Sequence, residues 1–249
     1  MFISSSYLSK NYGVDEQIAR FFVDREPPEN NLYWEGKLLY VRPAPGYLFI
    51  PLIVDLLFKL GIEKKQLLSE EFVGNMEQIG HISALEETKQ IDKDEAIRLC
   101  YNLVKDNCRN EVWLQNVNEY FSKTAENFIT SSVTPFTALH RGDAFLFSVC
   151  ALTLPHEIME KVVEQWFALI TTVLLLDDAE DIKSDRENGE ENAFLQSGLH
   201  QEGIANIMNV LKKSLQTIDT LNPFMAKELD DQFKNLLKKP HIVQVLNQI

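Results

Sequence analysis

In the last third of the chain an apolar run (Trp166, Phe167, Leu169, Ile170, Val173, Leu174, Leu176) leads straight into Asp177-Asp178-Ala179-Glu180-Asp181, with Asp185 and Gly189 following. On a helix Asp177, Asp181 and Asp185 recur at i, i+4 and i+8. At about 100° per residue they drift only about 80° and share one face. Asp178 and Asp185, seven apart, also nearly eclipse. Like charges at this spacing repel by a few tenths of a kcal/mol each, and carboxylates near a helix C-terminus oppose the macrodipole. The placement therefore loses stability unless a cation sits there. Mg2+, which takes one or two carboxylates together with phosphate oxygens, suits such a face. Asp177, Asp178, Asp181 and Asp185 are thus the candidate Mg2+ ligands. The plain alternative is a solvated acidic helix end. An EF-hand is excluded by register: with Gly189 as the turn glycine, ligand positions fall on Ser184, Arg186 and Asn188, and Arg cannot serve.

The elements that must position this face read as helices. Apolar spacing near 3.6 predicts helices over 47–60, closed by Gly61, then 64–89, 93–105 and 111–129. Pro135 opens another, to 153, and Pro155 one that runs through 182 or beyond; two more cover 202–221 and 223–238. Pro27, Pro28, Pro43, Pro45, Gly46 and Pro51 punctuate the start, so residues 1–46 are expected to be partly irregular. No hairpin-linked strand pattern, repeat or long linker interrupts the chain. The expectation is one all-α domain over 1–249, a bundle with a central pair of long helices.

Composition narrows the function classes. Asp plus Glu is 37 against 24 Lys plus Arg, a net charge of −13, with no overall attraction for nucleic acid or anionic lipid. The most apolar stretch, 47–58, is too short to span a bilayer and carries Asp55, so a buried helix is expected. Met1 to Lys10 lacks a basic region followed by an apolar run, which is not the pattern of a signal peptide. Cys100, Cys108 and Cys150 are scattered with no CxxC pair, so a disulfide framework or zinc site is not expected, and a cytoplasmic setting fits.

The residues resemble a known superfamily. Asp177-Asp-Ala-Glu-Asp181 resembles the second aspartate-rich motif, DDxxD, of trans-isoprenyl diphosphate synthases. The same stretch is similar to the second metal motif of class I terpene synthases, in which Asn or Asp is followed at +4 by Ser or Thr, at +8 by Glu, and then by Gly. Asp177, Asp181, Asp185 and Gly189 fall on that spacing, with Asp in place of the hydroxyl and the Glu. Glu35-Gly-Lys-Leu-Leu-Tyr-Val-Arg-Pro43 is similar to the GKxxRP motif, with two extra residues before Arg42. The stretch from Met76 to Leu85 resembles the helix that leads to the first aspartate-rich motif, although that motif is replaced by Glu86-Glu87-Thr88-Lys89-Gln90-Ile91-Asp92. His140-Arg-Gly-Asp-Ala-Phe-Leu-Phe147 sits where the family has a Lys-Thr pair before an Ala-Leu-Phe stretch.

The resemblance implies an isoprenoid-synthase-like bundle around a deep apolar cavity and a Mg2+-dependent enzyme acting on an isoprenoid diphosphate. Asp177 and Asp181 would be the catalytic metal ligands, with Asp178 and Asp185 as supports; Lys37, Arg42 and Arg141 would clamp the diphosphate, and the metal would stabilise the charge that grows on it as an allylic cation forms. Lys183 and Arg186 could add phosphate contacts, or simply pair with neighbouring carboxylates at i, i+4. Glu86 and Glu87 could stand as a second metal wall, or as ordinary surface residues. Phe145, Phe147, Trp166 and Phe167 could line a prenyl pocket, where rings stabilise cations, or be plain core. His81 and His140 read as core or rim residues, and Cys150 as a buried inert thiol. The missing first motif supports a second expectation: the fold without catalysis, serving as a binding protein or as the partner subunit of an active synthase. A homodimer is the other assembly the resemblance implies, and a helical interaction protein without a ligand is the third reading.

Overall fold

The computed structural model describes residues 3–26, 28–34, 45–240 and 242; among them there are helices and no β-strand. In chain order the α-helices are α1 (Ser5–Asn11), α2 (Glu16–Asp24), α3 (Pro45–Lys59), α4 (Lys64–Leu67), α5 (Glu70–Glu87), α6 (Lys93–Lys105), α7 (Glu111–Ser122), α8 (Met159–Asn188), α9 (Ala193–Gln196), α10 (Gln201–Asp219) and α11 (Pro223–Leu236). Two 3-10 helices, Thr137–His140 and Asp143–Ala151, matter for the site. The all-α expectation holds.

Side-chain caps set most of the boundaries. Ser69 accepts from the Phe72 N–H (3.2 Å), Asp92 from Glu95 (2.8 Å), Asn110 from Trp113 (3.0 Å) and Asn222 from Met225 (3.1 Å). Each satisfies a donor that the first helical turn leaves unpaired. This corrects the single helix expected over 64–89: α4 stops at Leu67, and the Ser69 cap starts α5 afresh. The helix expected over 111–129 ends at Ser122, because Lys123 turns into the left-handed region at φ 54°. Among the described residues before α3, Ser4 caps α1 and Asp15 caps α2, which buries Ile18, Ala19 and Phe22 on one side.

The largest correction concerns 135–153, which forms the two 3-10 helices instead of one α-helix. From Phe145 through Ala151 every side chain is buried, as an all-round apolar run demands. A 3-10 helix rises about 2.0 Å per residue, so nine residues span about 18 Å, the same length as the twelve residues of α7 at about 1.5 Å each. The two elements run antiparallel and are tied at three levels. The Tyr120 hydroxyl donates to Asp143, the Trp113 Nε1–H donates to the Leu146 carbonyl (2.9 Å), and the Arg109 N–H donates to the Cys150 carbonyl (2.8 Å).

The long α8 packs on α3 and α10, while α5 packs on α6 and the Asp143–Ala151 helix. Polar anchoring of the core centres on Asp55 of α3, fully buried as the 47–58 reading expected. It accepts from the Asp15 N–H (2.8 Å), from Asn222 Nδ2 (2.9 Å) and from Lys59 Nζ (2.5 Å), so α2, α3 and α11 meet at one carboxylate. Among the described residues no helix is long and apolar enough to cross a membrane.

One glycine is required by close packing. A Cβ on Gly203, in the first turn of α10, would lie 2.1 Å from the Ser197 carbonyl oxygen. Alanine in a helix normally gains about 1 kcal/mol over glycine. Here Gly203→Ala is expected to lose about 2–3 kcal/mol instead, the upper part of the overpacking range. Urea unfolding reads the sign directly, and a stabilised variant would refute the close approach.

Candidate functional site at the acidic end of the long helix

From Gln165 to Leu176 every side chain of α8 is buried except the half-buried Leu174; the first turns expose Glu160, Lys161 and Glu164, and beyond Leu176 one face reaches solvent again. Asp177 and Asp181 lie on that exposed face, whereas Asp178 and Asp185 turn inward (1% and 9% exposed). The helix ends at Gly189, whose φ of 72° closes it in the left-handed conformation.

The inward pair is held by protein groups. Asp178 Oδ2 accepts from the Ala193 N–H (2.7 Å) and its Oδ1 from Arg141 (2.8 Å). Asp185 Oδ2 accepts from Asn192 Nδ2 (2.8 Å), and the same amide group donates to the Asp178 carbonyl (2.7 Å). Asn192 Oδ1 in turn caps α9 through the Phe194 and Leu195 N–H groups. Both amide hydrogens and the carbonyl oxygen of Asn192 are thus used, which locks α9 against the acidic helix. Asn192 did not emerge from the charge pattern. Its signal in the sequence is the helix-start pattern, an Asn directly before Ala-Phe-Leu.

Arg141 follows the Thr137–His140 helix and reaches the acidic face. Its guanidinium donates to Asp178, makes a longer 3.5 Å contact with Asp177, and donates to the Ala138 (3.0 Å) and Glu191 (3.2 Å) carbonyls. About a third of the side chain stays exposed. Gln196 accepts from the Ala138 N–H (3.1 Å) and donates to Thr137 (2.8 Å), which fixes the segment that aims Arg141.

Electrostatics follow from this crowding. Although 57% of its side chain meets water, the protein crowded around Asp177 raises its carboxyl; Arg141 opposes the shift, and Asp181, Asp178 and Asp185 add to it. Burial likewise raises Asp178 against Arg141, and burial and then Asp185 raise Asp181. A cation at Asp177 and Asp181 would relieve that repulsion.

The other expected residues are placed as follows. Lys183 is exposed and lies 3.9 Å from Glu187, the i, i+4 pairing; Arg186 is exposed. Glu86 and Glu87 end α5, where Glu86 faces Cys100 of α6. Among the described residues no group of three or more His, Cys, Asp or Glu side chains is gathered to hold a metal, so these glutamates do not join the α8 carboxylates in one. Lys37 and Arg42 lie outside the described residues. His81 accepts from the Leu32 N–H (3.0 Å) and His140 pairs with the Thr134 carbonyl (2.9 Å), structural roles as read. Phe145, Phe147, Trp166 and Phe167 are buried, in ring contact with Phe49 (5.8 Å from Phe145, 5.4 Å from Trp166), Phe121 and Tyr120. An open cleft of about 550 Å³ at Phe21, Arg25, Glu70 and Glu77 shares no residue with the acidic face.

The donor set fits Mg2+ in one way. With Asp178 and Asp185 bonded internally, Asp177 and Asp181 are two exposed carboxylates on one helix face. Two carboxylates suit an ion that brings its own phosphate ligands, and not an ion held by protein alone.

A further buried carboxylate, two residues past Arg141, was invisible in the sequence pattern. Asp143 is fully buried; Tyr120 donates to its Oδ2, and its Oδ1 has no partner. Burial pushes it up to about 7, against the pull of Tyr120 and Lys93. Compared with protein-family models, curated proteins and solved structures, the chain matches none.

Proposed function

We propose that the chain binds the Mg2+ complex of an isoprenoid diphosphate at Asp177, Asp181 and Arg141, as an enzyme of prenyltransferase or terpene-synthase type on an isoprenoid-synthase-like bundle. The observation that carries the reading is the juxtaposition of two exposed carboxylates at i, i+4 with a guanidinium from another segment. Carboxylates and an arginine side by side serve a ligand that is itself a metal-bridged anion, with the metal on the carboxylates and phosphate oxygens on the arginine. Bound there, Mg2+ would neutralise charge on the leaving diphosphate. Arg141 would orient the phosphate, and Asp178 and Asn192 would hold Arg141 and α9 in place. The isoprenoid part of the reading rests on the motif resemblance.

A second reading, binding without turnover as a partner subunit or ligand carrier, is favoured by a specific observation. Two of the four aspartates are bonded internally, and the aromatic residues of the expected prenyl pocket are buried against other core rings, Phe49, Tyr120 and Phe121.

A thermal melt with Mg2+ and a non-hydrolysable farnesyl diphosphate analogue, separately and together, tests the proposal. A rise in Tm only with both is expected, by the linkage of binding to stability. Asp177→Asn is expected to abolish that rise while leaving the apo protein as stable or slightly more so, since like-charge repulsion is relieved. An unchanged ligand shift in this variant would remove Asp177 from the site. Product assays with allylic diphosphates, with and without isopentenyl diphosphate, then separate the enzyme from the carrier.

A further inference from the structure

Cys108 and Cys150 lie 42 residues apart in the sequence, yet they come together in the fold. Cys108 lies in the turn between α6 and α7, and Cys150 near the end of the Asp143–Ala151 helix. The Arg109 N–H donates to the Cys150 carbonyl at 2.8 Å, which holds the Cys108–Arg109 peptide against Cys150. Cys108 lies close enough to add to the rise of the Cys150 thiol. Both are free; Cys150 is fully buried and Cys108 half-buried. Cys100 is a different case: it lies within α6, fully buried beside Glu86, and burial pushes its thiol up to about 12. Burial also raises the Cys150 thiol. Reactivity follows thiolate character and access, so Cys108 is the thiol that an oxidant meets first, with Cys150 next to it as the resolving partner.

We propose that Cys108 and Cys150 form a reversible disulfide under peroxide, fastening the α6–α7 turn to the Asp143–Ala151 helix. The Cys108 thiolate attacks one peroxide oxygen, the O–O bond breaks, and water leaves after protonation, giving a sulfenic acid. Cys150 sulfur then attacks the Cys108 sulfur. The S–O bond breaks, the second oxygen leaves as water, and the Cys150 proton goes with it. Two electrons pass from the two thiols to one hydrogen peroxide, and the products are one disulfide and two waters. The ring so closed contains the whole of α7, the helix already bonded to the same 3-10 segment at Asp143 and Leu146. Cross-linking a long loop constrains the unfolded chain more than the folded one.

The test is titration of the purified full chain with hydrogen peroxide, read by intact mass, peptide mapping and melting. The expected product is a monomer lighter by about 2 Da, with a Cys108–Cys150 cross-linked peptide. Its Tm should rise by roughly 5–10 °C and return on reduction with dithiothreitol. Cys100→Ser should behave as wild type. Cys108→Ser and Cys150→Ala should not form the internal link, and because the main reading is made on the wild-type chain, a poorly folding Cys150 variant leaves it intact. Three results would overturn the proposal: oxygen added at Cys108 alone, a cross-link between two chains, or a link through Cys100.

Discussion

Replacing Asp143 by Asn is expected to stabilise the protein at pH 8 by about 2–4 kcal/mol and to have little effect near pH 4. The sign follows from burial. Asp143 is fully enclosed, with one oxygen on the Tyr120 hydroxyl and the other unpartnered, so its carboxyl is pushed up to about 7 from its ordinary 3.8. Between those two values the folded state holds a proton that the unfolded state has released. Stability falls as pH rises through that window and levels off above it. Each pKa unit is about 1.4 kcal/mol, so the full penalty is on the order of 4 kcal/mol. An amide hydrogen left without an acceptor returns about 1 kcal/mol of that gain. Denaturant titrations of both proteins from pH 4 to 8 measure the difference directly. Parallel stability curves would mean that Asp143 is not a buried charge. Tyr120→Phe works in the opposite direction: it removes the one donor to Asp143 Oδ2 and should deepen the loss at pH 8 while sparing pH 4.

Replacing Arg141 by Met is expected to destabilise the protein by about 2–4 kcal/mol at neutral pH. Breaking a buried ion pair by removing one partner costs about 3–5 kcal/mol, because a buried charge is left uncompensated. The lower figure reflects the 33% of the Arg141 side chain that water still reaches. Asp178, at 1% exposed, would keep the Ala193 N–H as its donor and lose its cation. Its carboxyl, already raised by burial, would rise further. A raised acid is stable in its protonated form, so the deficit should shrink as pH falls through the folded value and be full above it. Asp178→Asn in the same chain should recover most of the loss, since an Asn oxygen can accept from Ala193 without carrying charge. If the double variant is no better than Arg141→Met alone, then Arg141 acts through its carbonyl contacts at Ala138 and Glu191 and not through Asp178. The cycle also bears on the proposed ligand site, since the rescued protein would be folded but lack the arginine. A Mg2+-diphosphate shift that survives in it would take Arg141 out of the binding role.

The periodic helices were legible because their information is local. The predicted 93–105 helix coincides with α6, and Pro223 opens α11 as expected, since an Asp or Asn cap and an apolar stripe lie within a few residues of one another. The acidic face was legible for the same reason: i, i+4 and i+8 spacing fixes a shared helix face before any packing is known. The resemblance set Arg141 aside as a diphosphate ligand; that it lies beside Asp177 and Asp178 is seen only in the structure.

What the tertiary structure alone decided is which of those aspartates still face water. Asp177 and Asp178 are adjacent and chemically identical in the sequence, yet α9 and the Arg141 segment cover one and leave the other exposed. The same holds for 135–153, where an α-helical apolar pattern gives way to 3-10 geometry in a segment matched in length to α7. Asp143, ordinary in composition, becomes a buried acid only because Tyr120 and the surrounding core close over it. Cys108 and Cys150 become a pair only because two antiparallel elements are hydrogen-bonded at that level. Helix existence and the charge on a helix face are set by neighbours in the chain, through hydrogen bonds and side-chain spacing. Burial, and with it protonation, metal access and thiol pairing, is set by residues distant in the chain, and no local pattern records which ones they will be.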